Sequence, residues 1–302
     1  MPNLKLRVVP FSGTLKDRLL NEDHRPRPGE VQLFWLGQAG FVIESHHQRW
    51  LIDPYLSDSL ARKYRGKEYD HVRMMAAPIT PTELPPLDVV LCTHRHTDHM
   101  DPDTLQPLAV AQPELRFIVP AASREEAAKR CAVSDGRMIL ARVGERIDLG
   151  DSLIVEPIAS AHESFSIDEA GDHEWLGYIM TIEGTRIYHS GDCVPYDGLS
   201  RLLRERNVDV ALLPVNGRDV ERKTANVPGN FRLDEAIELC KHARIRHMVA
   251  HHYGLFAFNT IAAAEIDRRA MAESGVLVTR ACLGAALTFA REQKIGTHSL
   301  GR

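Results

Sequence analysis

Apolar positions along this chain fall first into short strand-like blocks and then into alternating strand-like and helix-like blocks. Residues 31–36 (VQLFWL) and 41–44 (FVIE) are apolar and β-prone with Gly37 and Gly40 between them, and they predict a hairpin. Residues 50–52 (WLI) form a strand that stops at the turn Asp53-Pro54. Residues 55–87 break the pattern with a run of charges (Arg62, Lys63, Arg65, Lys67) and a proline-rich end, and predict a surface excursion near a site, because loops of that length are uncommon without a role. DVVLCT (88–93) and RFIVP (116–120) read as buried strands. SREEAAKRCA (123–132) reads as a helix, with Ser123 as N-cap and Glu126 completing a capping box. Strands follow at 152–160, 177–190 (turning at Glu183-Gly184), 208–215 and 246–250, and helical periodicity at 232–243 and 261–274.

No linker-like break divides these elements. They predict one α/β domain over 1–302, with residues 1–30 as an N-terminal extension and either two packed sheets or one large mixed sheet. At 302 residues, 44% hydrophobic and 26% charged, the composition excludes a disordered chain. A net charge of −4 argues against nucleic acid as a partner. No apolar run reaches the roughly 18 residues that span a bilayer, and the N-terminus has no apolar h-region. The expectation is a cytoplasmic protein with no membrane partner. Five scattered cysteines without a CxxC pair predict neither disulfides nor a thiolate zinc site.

The chemistry concentrates after the strand 88–93, in Thr93-His94-Arg95-His96-Thr97-Asp98-His99-Met100-Asp101. Three histidines and an aspartate fall within six residues. His94 and His96 leave the same face of a strand end, and imidazole is a good ligand for zinc, iron or manganese. Asp98 and His99 turn the corner towards a second ion. A solvated polar loop has no need of three histidines.

This H-x-H-x-D-H arrangement resembles the metallo-β-lactamase fold superfamily, over most of residues 31–290. The resemblance implies an αββα sandwich, two mixed β-sheets flanked by helices, and further ligands at strand ends. His162, Asp192 and one of His251 and His252 stand in the required order, and His252, followed by Tyr253-Gly254, fits the last place better. His94, His96 and His162 would then hold one divalent ion and Asp98, His99 and His252 a second, with Asp192 bridging and a shared water activated between them. Mixed nitrogen and oxygen ligands admit zinc, manganese and iron.

Leu36-Gly37-Gln38-Ala39-Gly40-Phe41, Ile52-Asp53-Pro54, Tyr188-His189-Ser190-Gly191-Asp192 and Val215-Asn216-Gly217-Arg218-Asp219 sharpen the resemblance to the L-ascorbate-6-phosphate lactonase family. That implies a homo-oligomeric lactonase using manganese or zinc on a small anionic sugar-acid lactone. A phosphodiesterase acting on a small cyclic or linear phosphodiester is the alternative. Asp98 and His189 are the candidates for handling protons, with His189 otherwise a hydrogen-bond partner of a ligand. Asn216, Arg218, Arg222 and Asn230 are the candidates for binding the substrate anion, arginine being suited to it by its planar fork. Tyr253, Phe256 and Phe258 either wall the pocket or belong to the core.

Overall fold

A computed structural model describes residues 4–150 and 153–291; the expected domain's two ends, and Ser152 of the expected strand 152–160, lie outside them. In chain order the strands are β1 (Leu4–Pro10), β2 (Glu30–Gly37), β3 (Gly40–Glu44), β4 (Arg49–Ile52), β5 (Val89–Leu91), β6 (Arg116–Pro120), β7 (Met138–Ala141), β8 (Ile147–Gly150), β9 (Leu153–Ala159), β10 (Leu176–Ile182), β11 (Thr185–His189), β12 (Val210–Pro214), β13 (His247–His251), β14 (Leu277–Arg280) and β15 (Ala285–Arg291). The helices are α1 (Leu15–Leu20), α2 (Ser59–Lys63), α3 (Pro102–Ala111), α4 (Arg124–Cys131), α5 (Leu199–Glu205), α6 (Val220–Thr224), α7 (Leu233–Ala243) and α8 (Ala263–Ala272).

Two mixed sheets result. One runs β1-β15-β2-β3-β4-β5-β6-β7 and the other β14-β13-β12-β11-β10-β9-β8. In each, hairpin-linked strands pair antiparallel, and a parallel half follows (β4 to β7, and β11 to β14). Parallel neighbours need crossovers, and α3, α4, α5, α7 and α8 supply them on the outer faces. Period-two alternation divides each strand between two cores. Along β2, Val31, Leu33 and Trp35 point between the sheets, while Phe34 and Leu36 pack with Leu105 and Leu108 of α3. Both faces are covered, so the strands read as nearly continuous apolar runs. Truncating a side chain such as Leu33 to alanine would cost about 2–5 kcal/mol.

Three local expectations need correction. Residues 1–30 are not merely an extension, since β1 pairs with β15 through seven residues. Most of β1 is exposed at the sheet edge, so its apolar pattern is weak. Ser123 does precede α4, but its side chain caps nothing, because Glu126 pairs with Arg130 instead. The 55–87 segment is not wholly superficial. It contains α2, Tyr55, Leu56 and Leu60 are buried, and the Arg73 guanidinium ties the segment down through the carbonyls of Tyr55, Ser57 and Met75.

Candidate metal centre and active-site cavity

The C-terminal ends of β5, β9, β11 and β13 meet at one edge of the sandwich. His94, His162, Asp192 and His252 lie one to three residues past those ends. Two groups of side chains form there. The ligand atoms of His94, His96, His162 and Asp192 lie within 4.8 Å of one another, and so do those of Asp98, His99 and His252.

Asp192 lies between the groups. Its Oδ1 is 3.3 Å from His99 Nε2 and 3.1 Å from His252 Nε2, while its Oδ2 is 3.8 Å from His162 Nε2. Each carboxylate oxygen therefore addresses a different group, as a bridging ligand must. Asp192 owes its position to Gly191, whose φ is +59° and whose hypothetical Cβ would meet Thr93 Cβ at 2.8 Å. Only glycine fits there.

The donor atoms suit divalent ions. His94 Nε2, His99 Nε2 and Asp192 Oδ1 are buried without a hydrogen-bond partner, an expensive state unless an ion completes them. The other ring nitrogens of two ligands are held. His99 Nδ1 donates to Asp53 Oδ2 at 2.7 Å, and His94 Nδ1 to Thr93 Oγ1 at 3.0 Å. Both contacts fix the tautomer that leaves Nε2 bare. Burial keeps the first group neutral, lowering His94 well below the usual imidazole value and His162 to about 4. Burial also opposes the His99 charge, but Asp192, Asp53 and Asp98 outweigh it and raise that imidazole well above its usual value. His252 and His99 likewise overcome burial and hold Asp192 well below the ordinary carboxylate range.

Backbone strain gathers here. Of the ten non-glycine residues with positive φ among the described residues, Gln38, Asp53, His71, Glu163, Asn226 and His252 border the site. Such conformations cost about 1–3 kcal/mol each and cluster at functional sites.

His189 is not a proton donor to the cavity. It is fully buried, its Nε2 bonds the Ala39 carbonyl at 2.8 Å, and its Nδ1 accepts from Gly191 N at 3.0 Å. With both nitrogens taken, it braces the turn that presents Asp192. His251 stacks on His189 inside the core at a centroid distance of 5.0 Å. His252, not His251, reaches the ligand cluster.

A cavity of about 680 Å³ opens over the cluster, lined in part by Asp98, His162, Asp192 and His252. The 55–87 excursion supplies a second wall, including Lys63, Tyr64, Lys67, Tyr69 and His71, and Phe256, Phe258 and Asn259 a third. Phe256 and Phe258 thus wall the pocket, whereas Tyr253 stacks on Trp35 in the core.

The expected anion-binding quartet does not line this cavity. Arg218 forks onto Glu235 at 2.6 and 2.8 Å and onto the Asn230 carbonyl, so its fork is turned onto a carboxylate of the protein itself. Arg222 bonds Asp219, the Asn216 carbonyl and Asn259 Oδ1. Asn216 also bonds Asn259, and Asn230 bonds Asn216. These four residues form a polar brace around Asn259, which itself reaches the cavity wall.

The roles of Asp53, Gln38 and His71 were not read from the sequence. Asp53 carried a signal, since it follows a strand end as the ligands do. His71 donates through Nδ1 to the Tyr69 carbonyl at 2.7 Å, among the rings of Tyr64, Phe256 and Phe258. Its charged surroundings gave no hint of that packing.

Comparison with known proteins agrees with this architecture. A family model described as Beta-lactamase superfamily domain matches residues 48–253. A metal-dependent hydrolase of Aeropyrum pernix is 30% identical over 246 residues, covering 75% of this chain and 84% of its own. An N-acyl-phosphatidylethanolamine-hydrolyzing phospholipase D 1 of Caenorhabditis elegans is 22% identical over 75% of this chain, which spans 64% of that relative. Among solved structures, an isothiocyanate hydrolase from Delia radicum gut bacteria superposes with a TM-score of 0.69 at 19% identity, covering 86% of this chain and 100% of its own.

Proposed function

The chain belongs to the beta-lactamase superfamily and is a metal-dependent hydrolase, and from that premise we propose that its substrate is a small anionic ester, in the first instance the lactone of a phosphorylated sugar acid. The observation that carries this reading is the set of charges lining the cavity. Four cations line it, with Glu68 and the metal-centre carboxylates Asp98 and Asp192. Arg95 is paired with Glu174 and Arg130 with Glu126. Lys63 and Lys67, on the excursion wall, have no carboxylate partner among the described residues, and Lys63 lies over the Tyr64 ring at 5.1 Å. A cavity of about 680 Å³ suits a molecule of sugar size rather than a polymer.

Divalent ions held by His94, His96, His162, Asp98, His99, His252 and Asp192 would supply Lewis acidity and a water activated near neutral pH. The protein's own residues do the rest. The rings of Tyr64, Tyr69 and Phe256 offer apolar faces for the body of a small substrate. Lys63 and Lys67 attract its anion. His71, with Nδ1 tethered to a carbonyl and burial lowering its pKa, offers a neutral Nε2 as acceptor for a substrate hydroxyl.

Hydrolysis of a phosphodiester is the second reading, favoured by the relative named as a phospholipase D. The test is to offer the metal-reconstituted protein a phosphorylated sugar lactone, its unphosphorylated counterpart and an activated phosphodiester, following acid release in a pH-stat. The expected order is phosphorylated lactone first. Turnover of the phosphodiester alone selects the second reading, and no turnover of any of the three overturns both.

A further inference from the structure

Gln38 occupies the turn between β2 and β3 with a φ of 50°, buried beneath the metal centre. Its backbone is pinned, because its carbonyl accepts from Trp35 Nε1 at 3.0 Å and from His252 N at 2.9 Å. Its side-chain amide nitrogen Nε2 faces the second ligand group, donating to Asp98 Oδ2 at 2.8 Å and standing 3.1 Å from His252 Nε2.

Those spacings carry information. Donor atoms that share one ion at about 2.1 Å lie roughly 3.0–3.4 Å apart at tetrahedral or octahedral angles. The 3.1 Å to His252 falls in that range and the 2.8 Å to Asp98 just short of it, so the Gln38 terminus stands close to where another ligand would. Asp98, His99 and His252 supply three atoms besides the shared Asp192, as the three histidines do in the first group, and Gln38 would add one more to the second. A carboxamide presents either oxygen or nitrogen by a half-turn of its last torsion. With nitrogen inward it can only donate, to Asp98 Oδ2 and His252 Nε2, the two atoms an ion there would need.

We propose that Gln38 is a ligand of the second ion, presenting Oε1 beside Asp98, His99 and His252. The inference rests on the two-ion reading of the site. It makes the second position richer in oxygen than the first, so that it favours a harder ion such as manganese while the histidine-rich first position is the better one for zinc.

Titrating metal-free protein with Mn²⁺, by calorimetry and by the electron paramagnetic resonance of the free ion, tests this in the wild type, Gln38→Ala and Gln38→Glu. Thermal unfolding of each metal-free form checks folding. Gln38→Ala should weaken the second ion and leave the first unchanged, a loss that a mere donor to Asp98 would share, so the glutamate variant decides between the two roles. Gln38→Glu should tighten the second ion, since it offers an anionic oxygen at the same reach. If Gln38 serves only as a donor to Asp98, Gln38→Glu instead sets two carboxylates against each other and weakens that ion, which overturns the proposal. Unchanged second-ion affinity in Gln38→Ala overturns it too. A wild type that takes up one ion only overturns the two-ion reading itself, an outcome distinguishable from a failure confined to the variants.

Discussion

The Asp53 carboxylate governs the His99 ring: Oδ2 accepts the Nδ1 proton at 2.7 Å, and Nε2 is thereby turned towards Asp192. The same carboxylate holds Thr93 through its backbone N at 2.8 Å and its hydroxyl at 2.6 Å, and Thr93 Oγ1 in turn meets His94 Nδ1. One buried anion thus orients a ligand in each group, directly in one and through a hydroxyl in the other. Asp53→Ala should weaken the second ion about 10- to 100-fold and the first ion less, as losing the partner of a ligating imidazole does elsewhere. Calorimetric metal titration reads both constants. Two wild-type affinities in Asp53→Ala would show that the orientation needs no such support.

Acid should strip the two ions in sequence. An ion at the first group displaces no proton at neutral pH, because burial lowers His94 and His96 and brings His162 to about 4. An ion at the second group must displace the His99 proton, which Asp192, Asp53 and Asp98 hold in place against burial. Below the raised His99 value, affinity for the second ion should fall about tenfold per pH unit, while the first holds to lower pH, because its imidazoles are lowered and not raised. Metal content after equilibrium dialysis across that range measures this, and simultaneous loss of both ions would contradict it. In metal-free protein the same shift acts oppositely. The charged His99 stabilises the fold at low pH, and that contribution disappears as pH rises through its raised value.

Gly191→Ala should damage the turn that presents Asp192. The added Cβ would lie 2.8 Å from Thr93 Cβ and 2.9 Å from the Leu176 carbonyl, and φ is already in the left-handed region. Strain plus overpacking suggests a loss of about 2–4 kcal/mol. Gly184→Ala is the control. Its φ is +71°, but nothing lies within 4 Å of the added atom, so strain alone remains, about 1 kcal/mol. Equal losses in denaturant unfolding would show that the crowding around Gly191 is relieved cheaply.

The sequence was most legible where chemistry and periodicity coincide. Each ligand follows an apolar strand, so the blocks before His94, His162, Asp192 and His252 located both the sheet edge and the site. It was least legible where a residue's partner is distant along the chain. β1 finds β15 across the whole sequence, and its exposed face leaves no alternation to read. Arg218 looked like an anion clamp because Asn216, Gly217 and Asp219 surround it, but Glu235, one turn into α7, takes its fork. His71 sits in a charged, proline-rich segment whose packing against Phe256 and Phe258 no local pattern announces.

Substrate charge should be read by the excursion wall and not by Arg218. Arg218 and Glu235 have side chains about a quarter exposed and joined by two hydrogen bonds, so Arg218→Ala should cost about 1 kcal/mol of stability. It should leave KM for any lactone within about twofold, since the side chain does not line the cavity. Lys63 and Lys67 are different: they line the cavity, and among the described residues neither forms an ion pair with a carboxylate. A charge-assisted contact from an exposed lysine is screened by water and salt, so each is expected to contribute less than a buried arginine would, about 0.5–1 kcal/mol. The double variant Lys63→Ala/Lys67→Ala should therefore raise KM for a phosphorylated lactone about 5- to 30-fold. KM for the unphosphorylated lactone should hardly move, and kcat for neither should fall much, because the lysines meet the anion and not the reacting ester. Raising salt should shrink the difference between the two substrates in the wild type and leave it unchanged in the double variant. Equal KM changes for both lactones would remove the lysines from anion recognition. A selective rise in Arg218→Ala would mean that Glu235 releases its partner when substrate enters.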